Sequence, residues 1–182
     1  QPVAGLGTRN ALWAVIFAGG IGSRFWPLST PERPKPLLKL VGEHPLVADT
    51  VRRLQPLVPA DRVLVLTSED IADGIRNALP QVPAKNILVE PRPLGTAAAL
   101  AWGAHEVAKR AGPKAVFCAL HADLAAMYED EFRDTIRRAT RLAAHDGRLV
   151  AIAAKPTRPE TGFGYVVPGR ALDEDASGTA TD

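Results

Sequence analysis

Three glycines stand close together in the sequence, directly after an apolar run that ends at Ala18. Gly19, Gly20 and Gly22 leave this part of the main chain without β-carbons, so its amide groups can converge closely on an anion. Arg24 follows with a planar guanidinium, which matches the geometry of phosphate oxygens. Glycine residues next to an arginine therefore predict a loop that binds phosphate.

The segment after the glycines is stiff, in contrast to the loop. Prolines occupy positions 27, 31, 34 and 36. Because proline fixes one backbone angle, such a segment can hold charged side chains in a set direction. We expect Lys35, which lies between two of these prolines, to face the bound phosphate; a solvated surface lysine is the alternative. Arg33 and Lys39 are further cations of the same segment.

Two familiar phosphate-binding motifs are absent from the sequence. No G-x-x-x-x-G-K-[ST] string occurs, which excludes a P-loop. The dinucleotide fingerprint G-x-G-x-x-G begins at Gly20 but meets Phe25 at the position of its third glycine. A dehydrogenase is therefore disfavoured, and the loop is expected to serve another phosphate ligand.

Strand-like and helix-like patterns alternate along the chain. The apolar run 12–18 predicts a strand that is buried on both faces. Further strands are predicted at 62–67, 86–90, 115–120 and 148–154, with a short sixth at 162–167. Apolar residues at helical spacing predict helices over 46–57, from a cap at Ser68 to Leu79, over 96–112 and over 129–145. This alternation predicts an α/β fold, a Rossmann-like open and mostly parallel sheet with helices on both faces.

Composition limits the classes to which the protein can belong. Its 182 residues suffice for one domain with a core, and 46% hydrophobic with 23% charged residues are typical of a soluble globular protein. A net charge of +2 indicates no nucleic-acid or membrane partner, and no stretch is apolar enough to span a bilayer. Cys118 is the single cysteine, so an internal disulfide is excluded and we expect a buried thiol.

We expect one core unit with short flanking segments. The core is predicted over residues 12–170, after a leader or vector-derived segment at 1–11. The first residues lack the charged and apolar regions of a signal peptide, which favours a reducing cytoplasmic location. Residues 171–182 are polar and are expected to form a surface loop or a frayed end.

Four stretches together resemble a known family. "AVIFAGGIGSRFWPLSTPERPKPLLKLVG" (14–42) resembles the signature of sugar-1-phosphate nucleotidyltransferases, and its "FWPLS" is similar to the mannose-1-phosphate guanylyltransferase branch. "ILVEPRPLGTAAALA" (87–101), "ALHADL" (119–124) and "KPTRPETGFGYV" (155–166) agree with that branch in order and spacing. The resemblance covers residues 12–167 and is specific, because several separated motifs coincide.

The resemblance implies a fold of the nucleotide-diphospho-sugar transferase type and a reaction. A guanylyl group would pass from GTP to mannose 1-phosphate by metal-assisted in-line attack, giving GDP-mannose and pyrophosphate. Asp123 would hold Mg²⁺, Gly164 and Tyr165 would meet the hexose, and Arg24 and Lys35 would be catalytic. The implied nucleotide-binding residues are Ala18, Gly19, Gly20, Gly22, Ser23, Arg24, Lys35, Glu90, Pro91 and Thr96.

The sequence also departs from the family pattern. The family reads Pro-Ala-Asp-His around the metal aspartate, where this chain has His-Ala-Asp-Leu (121–124), and Gly95 replaces an asparagine. Family members also continue further, with a second carboxylate for the metal. Another nucleoside triphosphate or hexose 1-phosphate, or an inactive nucleotide-binding paralogue or fragment, are therefore the alternatives.

Several residues also have structural interpretations that stay open at this point. Asp123 could cap a helix, Glu90 could merely end a strand, and Tyr165 could pack in the core. His121 could act as a general base, although packing or solvent exposure is the favoured interpretation. The oligomeric state is equally open, with a homodimer as one alternative.

Overall fold

A computed structural model describes residues 11–20, 25–124, 126, 128–170, 173–174 and 180–181. The elements alternate as strand and helix along most of the chain. The strands are β1 (Trp13–Ala18), β2 (Val63–Ser68), β3 (Ile87–Glu90), β4 (Phe117–His121), β5 (Asp173–Glu174) and β6 (Ala180–Thr181). The α-helices are α1 (Leu46–Leu54), α2 (Ala72–Ala78), α3 (Thr96–Ala111) and α4 (Glu129–Asp146), and short 3-10 turns lie at Lys35–Leu37, Ala60–Arg62, Glu69–Ile71 and Ala84–Asn86.

The four longer strands form one parallel sheet in the order β3-β2-β1-β4. β1 is central: Val15 aligns with Leu64 of β2 on one side and with Ala119 of β4 on the other. The chain therefore adds β2 and β3 on one side of β1 and then returns to its other side for β4. Ligands of open α/β sheets bind beyond the carboxyl ends of the strands at such a reversal.

Two apolar clusters cover the two faces of the sheet. Ala14 and Ile16 of β1 belong to the cluster that contains residues of α1, α2 and α4. Val15 belongs to the opposite cluster, which contains residues of α3. Val15 and Ile16 are both completely buried, as expected for a strand covered on each side. The predicted sheet with helices on both faces is confirmed.

Helix α3 lies close to the sheet because its contact residues are small. A β-carbon at Gly103 would lie 2.7 Å from Cγ1 of Val15, which is closer than the van der Waals radii of two carbons allow. Ala99 and Val107, one turn away on either side, are buried on the same face. The helix ends at Gly112, which has φ +91°, a conformation that favours glycine.

The helix termini agree with the sequence only in part. Gly147 ends α4 in the left-handed conformation with φ +65°, as its position predicts. Ser68 makes no side-chain capping hydrogen bond, and a 3-10 turn, Glu69–Ile71, precedes α2. The predicted cap at Ser68 is therefore wrong, because a main-chain turn forms the entry to the helix.

Two predicted strands are also wrong. Residues 148–154 and 162–167 form no strand, although their apolar residues favour one. Within the described residues, β4 pairs with β1 alone, and the side chain of Leu149 is fully exposed. A strand needs a neighbour that satisfies its main-chain hydrogen bonds, and the apolar pattern of a segment cannot supply one.

The described residues of the 171–182 segment contain the short antiparallel pair of β5 and β6, which join Glu174 to Ala180. No helix among the described parts of the chain has the length and apolarity that a bilayer crossing requires.

Candidate functional site

Residues from separate parts of the chain meet at the carboxyl edge of the sheet. Gly19 follows β1, Glu90 ends β3, and Asp123 follows β4. The strand register makes this convergence necessary, because Ser68 pairs with Glu90 and the amide of Ala122 donates to the carbonyl of Phe17 at 3.0 Å. The site therefore lies at the reversal between β1 and β4.

The side chain of Glu90 lies against Gly19, the first glycine after β1. A β-carbon at Gly19 would lie 3.0 Å from Oε2 of Glu90 and 3.8 Å from the amide nitrogen of Ser68. Partial burial raises the pKa of the Glu90 carboxyl above its usual value, because a less polar surrounding disfavours the charged form. Gly19 thus provides the space that the carboxylate occupies. Gly20, the next residue, is exposed and faces open space.

Lys35 forms an ion pair with Asp123, which follows β4 at the same edge of the sheet. Nζ of Lys35 lies 2.7 Å from Oδ2 of Asp123. The same ammonium lies 3.7 Å from the ring centroid of Phe25, a distance at which cation and aromatic ring attract each other. Pro34 and Pro36 are buried on either side of the lysine. Lys35 is therefore held by an ion pair, an aromatic ring and two buried neighbours.

Helix α1 holds the loop that carries Asp123. Thr50 donates its hydroxyl to the carbonyl of Ala122 at 3.0 Å, and Arg53 donates to the carbonyl of Leu124 at 2.9 Å. Both side chains are buried. The main chain is thereby fixed on each side of Asp123, which orients its carboxylate toward Lys35.

The remaining nucleotide-site residues of the sequence analysis lie near the same edge. Ala18 is buried as the last residue of β1, and Pro91 is exposed directly after β3. Thr96 is the exposed first residue of α3, after Gly95 with φ +87°. The predictions for Gly22, Ser23 and Arg24 lie outside the described residues.

The expected hexose residues lie in a separate exposed loop. The hydroxyl of Tyr165 accepts from the amide of Glu160 at 2.8 Å and donates to the carbonyl of the same residue at 2.9 Å. Tyr165 is 53% exposed, so the alternative of core packing is wrong. Gly164 faces open space. Among the described residues, no hydrogen bond or ion pair joins Tyr165 to Lys35, Asp123 or Glu90.

Three further expectations concern single residues. Asp123 is not a helix cap, because α4 begins at Glu129, six residues later, after Tyr128 at the capping position. His121 is exposed and its ring lies 5.6 Å from that of Phe17, in agreement with a surface position. Cys118 is partly buried and packs against the apolar cluster that contains Ala14 and Ile16, and burial raises the pKa of its thiol to about 12. The expectation of a buried thiol is therefore met only in part.

The donor set of the site fits a magnesium ion that binds together with phosphate. Within the described residues, no group of three or more His, Cys, Asp or Glu side chains could hold a metal by itself. Mg²⁺ commonly uses one or two carboxylates and completes its shell with substrate phosphates and water. Asp123, which is 34% exposed, can serve as such a carboxylate.

Three residues that position Lys35 or the loop of Asp123 were not predicted from the sequence to do so. Phe25 entered only as the residue that breaks the dinucleotide fingerprint, and nothing in the sequence indicates its contact with Lys35. Thr50 offered one signal, a polar residue on the apolar face of a predicted helix. Arg53 offered none, because its burial depends on the loop after β4.

An open parallel sheet whose winding reverses at a glycine loop defines a Rossmann-like nucleotide-binding fold. Residues 13–179 match the family model described as nucleotidyl transferase. The chain therefore belongs to the nucleotidyl transferase family.

Individual relatives agree with this assignment. The chain is 38% identical over 162 residues to a mannose-1-phosphate guanylyltransferase of Sinorhizobium fredii, covering 88% of this chain and 31% of the relative. It is 36% identical over 173 residues to a mannose-1-phosphate guanylyltransferase of Salmonella muenchen, covering 94% of this chain and 36% of the relative. The chain thus spans about a third of the length of these curated relatives.

A solved structure supports the fold. The crystal structure of a mannose-1-phosphate geranyltransferase from Thermus thermophilus superposes with a TM-score of 0.74 at 35% identity, covering 84% of this chain and 44% of that one. The sheet accordingly has the nucleotide-diphospho-sugar transferase type of fold that the resemblance implies.

Proposed function

We propose that the protein transfers a guanylyl group from GTP to mannose 1-phosphate, releasing pyrophosphate and forming GDP-mannose. The observation that carries this proposal is the pairing of Lys35 with Asp123 at the reversal of the sheet, where Asp123 follows β4 and the glycines follow the neighbouring β1. The names of the relatives support the choice of GTP and mannose 1-phosphate.

Nucleotidyl transfer joins two polyanions, so its demands are mainly electrostatic. An oxygen of the sugar phosphate attacks the α-phosphorus of the triphosphate, and pyrophosphate leaves on the opposite side. Main-chain amides of the glycine loop and Arg24 bind the β- and γ-phosphates, while Lys35 offsets charge near the α-phosphate. Because a phosphate monoester is already ionised at neutral pH, the protein needs no nucleophile of its own.

Asp123 is the residue that would hold Mg²⁺ in this site. When bound, the ion would supply charge neutralisation to the phosphates. The carboxylate is partly exposed and its loop is fixed by Thr50 and Arg53, so it is oriented before any ligand arrives. Preorganised ligands of this kind lose little freedom on binding.

The other substrate contacts follow the same edge of the sheet. Glu90, Pro91 and Thr96 are assigned to the base or ribose, since they lie between β3 and α3 beside the loop. Gly164 and Tyr165 are assigned to the hexose, and the exposure of Tyr165 leaves its ring free for this role. We place the reaction in the cytoplasm, with GTP and hexose 1-phosphate as partners.

The test is release of pyrophosphate from GTP and mannose 1-phosphate in the presence of Mg²⁺. We expect release that requires all three components and that is lost in Asp123→Asn. ATP, UTP, CTP and dTTP serve as matched nucleotides, and glucose 1-phosphate as the matched sugar. Release with a different pair would replace the substrates named here, and binding of GTP without any release would favour a nucleotide-binding protein without turnover.

A further inference from the structure

We propose that Lys35 and Asp123 form a latch that triphosphate and metal open together. In this latch, Lys35 leaves the Asp123 carboxylate for the phosphates, and the freed carboxylate becomes available to the metal. The inference rests on the proposed function, since it assigns both residues to the triphosphate site. It adds that each residue blocks the other until the ligands are bound.

The ion pair between Lys35 and Asp123 is short and partly buried, unlike an ion pair on an exposed surface. Nζ of Lys35 and Oδ2 of Asp123 are 2.7 Å apart, and the side chains are 18% and 34% exposed. The lysine rests on the Phe25 ring and lies between two buried prolines. The aspartate lies between two carbonyls that are held by α1. Both partners are thus supported independently, and partial burial strengthens their attraction.

The pair creates a conflict for a triphosphate that arrives without metal. For the phosphates to bind the Lys35 ammonium, the ion pair between Lys35 and Asp123 must weaken. The phosphates then lie near an Asp123 carboxylate that is no longer paired, and the two negative charges repel each other. Both effects lower the affinity. A divalent cation removes the conflict, because it neutralises Asp123 while Lys35 turns to the phosphates. Metal and triphosphate should therefore favour each other's binding, and such coupling is reciprocal.

A double-mutant cycle separates the latch from simple charge repulsion. Dissociation constants of inorganic tripolyphosphate are measured by calorimetry in EDTA for the parent, Asp123→Asn, Lys35→Gln and the double variant. Removal of the carboxylate relieves repulsion in both backgrounds, but it releases the ammonium only where Lys35 is present. We expect Asp123→Asn to lower the dissociation constant of tripolyphosphate about fivefold more when residue 35 is lysine than when it is glutamine. A difference of this size corresponds to the interaction energy of a partly buried ion pair.

Asp49→Asn is the matched control, because it removes a carboxylate of neighbouring α1 that pairs with Arg52 instead. Its effect should be small and equal in both backgrounds. With Mg²⁺ present, Asp123→Asn should weaken tripolyphosphate binding, so that its effect changes sign.

Phe25 has a positioning role in the latch. Phe25→Leu should reduce the coupling between Lys35 and Asp123, and Phe25→Tyr should retain it, because both aromatic rings attract a cation. A merely structural role for the ring would leave the coupling of the cycle unchanged.

The outcomes separate the latch from the proposed function. Asp123→Asn could increase the affinity for tripolyphosphate equally with lysine and with glutamine at position 35. If the parent also bound normally in the presence of Mg²⁺, this result would overturn the latch and leave the proposed function intact. Failure of the parent to bind tripolyphosphate or GTP, with or without Mg²⁺, would overturn both.

Discussion

The hydroxyl of Thr50 in α1 donates to the carbonyl of Ala122, which lies 72 residues further along the chain, at 3.0 Å. The same hydroxyl lies 3.0 Å from the carbonyl of Leu46 within its own helix, so one proton is shared between two acceptors. This long-range bond connects the first helix after the proline-rich segment to the loop of Asp123. A buried hydroxyl of α1 therefore helps to fix the position of the loop that carries Asp123.

Replacement of Thr50 by valine tests this connection. Valine keeps the shape of threonine but leaves the buried carbonyl of Ala122 without its hydroxyl donor, and we expect a loss of about 1–2 kcal/mol in the free energy of unfolding. Urea denaturation of the ligand-free protein measures this loss. Thr140→Val is the matched control, because Thr140 is similarly buried and its hydroxyl donates to Ile136 within its own helix. Equal losses in the two variants would show that the bond to Ala122 contributes nothing of its own.

Lys35→Ala should weaken the binding of GTP with Mg²⁺ by about tenfold or more, since a charge-assisted contact to phosphate is lost. The far-UV circular dichroism should remain that of the parent. Lys39→Ala removes a cation from the same segment, but the side chain of Lys39 is exposed and we expect little change in affinity. If the two variants bound GTP equally well, Lys35 would have no special part in phosphate binding.

Glu90 predicts a pH dependence of stability. Its pKa is raised in the folded protein by burial, from an ordinary value of 4.5. A carboxyl whose folded pKa exceeds its unfolded pKa binds more protons when folded, so the free energy of unfolding falls as pH rises through this window. Glu90→Gln removes that titration. The variant should therefore melt at a higher temperature than the parent at pH 7, and the gain should vanish as the pH is lowered toward about 4.

Thermal melts of the ligand-free protein between about pH 4 and 8 measure this difference. Glu43→Gln, which changes an exposed carboxylate in a loop, should give no such trend. A Glu90→Gln variant that is less stable than the parent at neutral pH would contradict the idea that burial of the charged Glu90 carboxylate lowers the free energy of unfolding.

Gly103→Ala tests the close approach of α3 to the sheet. The new β-carbon would lie 2.7 Å from the stiff, fully buried side chain of Val15. We expect a net loss of about 1–2 kcal/mol, because the clash exceeds the gain of about 1 kcal/mol that alanine brings to a helix. Chemical denaturation measures the loss.

Gly74→Ala in α2 is the contrasting variant. There the new β-carbon would meet the methyl end of the half-buried Leu37 side chain, which can rotate away. Its stability should stay close to that of the parent or rise. A greater loss in Gly74→Ala than in Gly103→Ala would reject this account of how α3 packs.

Local sequence patterns determined most of the elements. The continuous apolar run of β1 indicated a strand buried on both faces, and burial of Val15 and Ile16 confirms it. The prolines around Lys35 indicated a stiff segment, and both flanking prolines are buried in the structure. Such patterns are readable because backbone preference and apolar periodicity act over a few neighbouring residues.

Only the tertiary structure decided which distant residues meet. The sequence gives no sign that Phe25 contacts Lys35, that Thr50 and Arg53 fix the loop of Asp123, or that Glu90 fills the space above Gly19. The failed strands at 148–154 and 162–167 have the same cause, because a strand exists only where another strand pairs with it. The sequence thus predicted Gly19, Glu90 and Asp123 separately, while strand order and register placed them at one edge of the sheet.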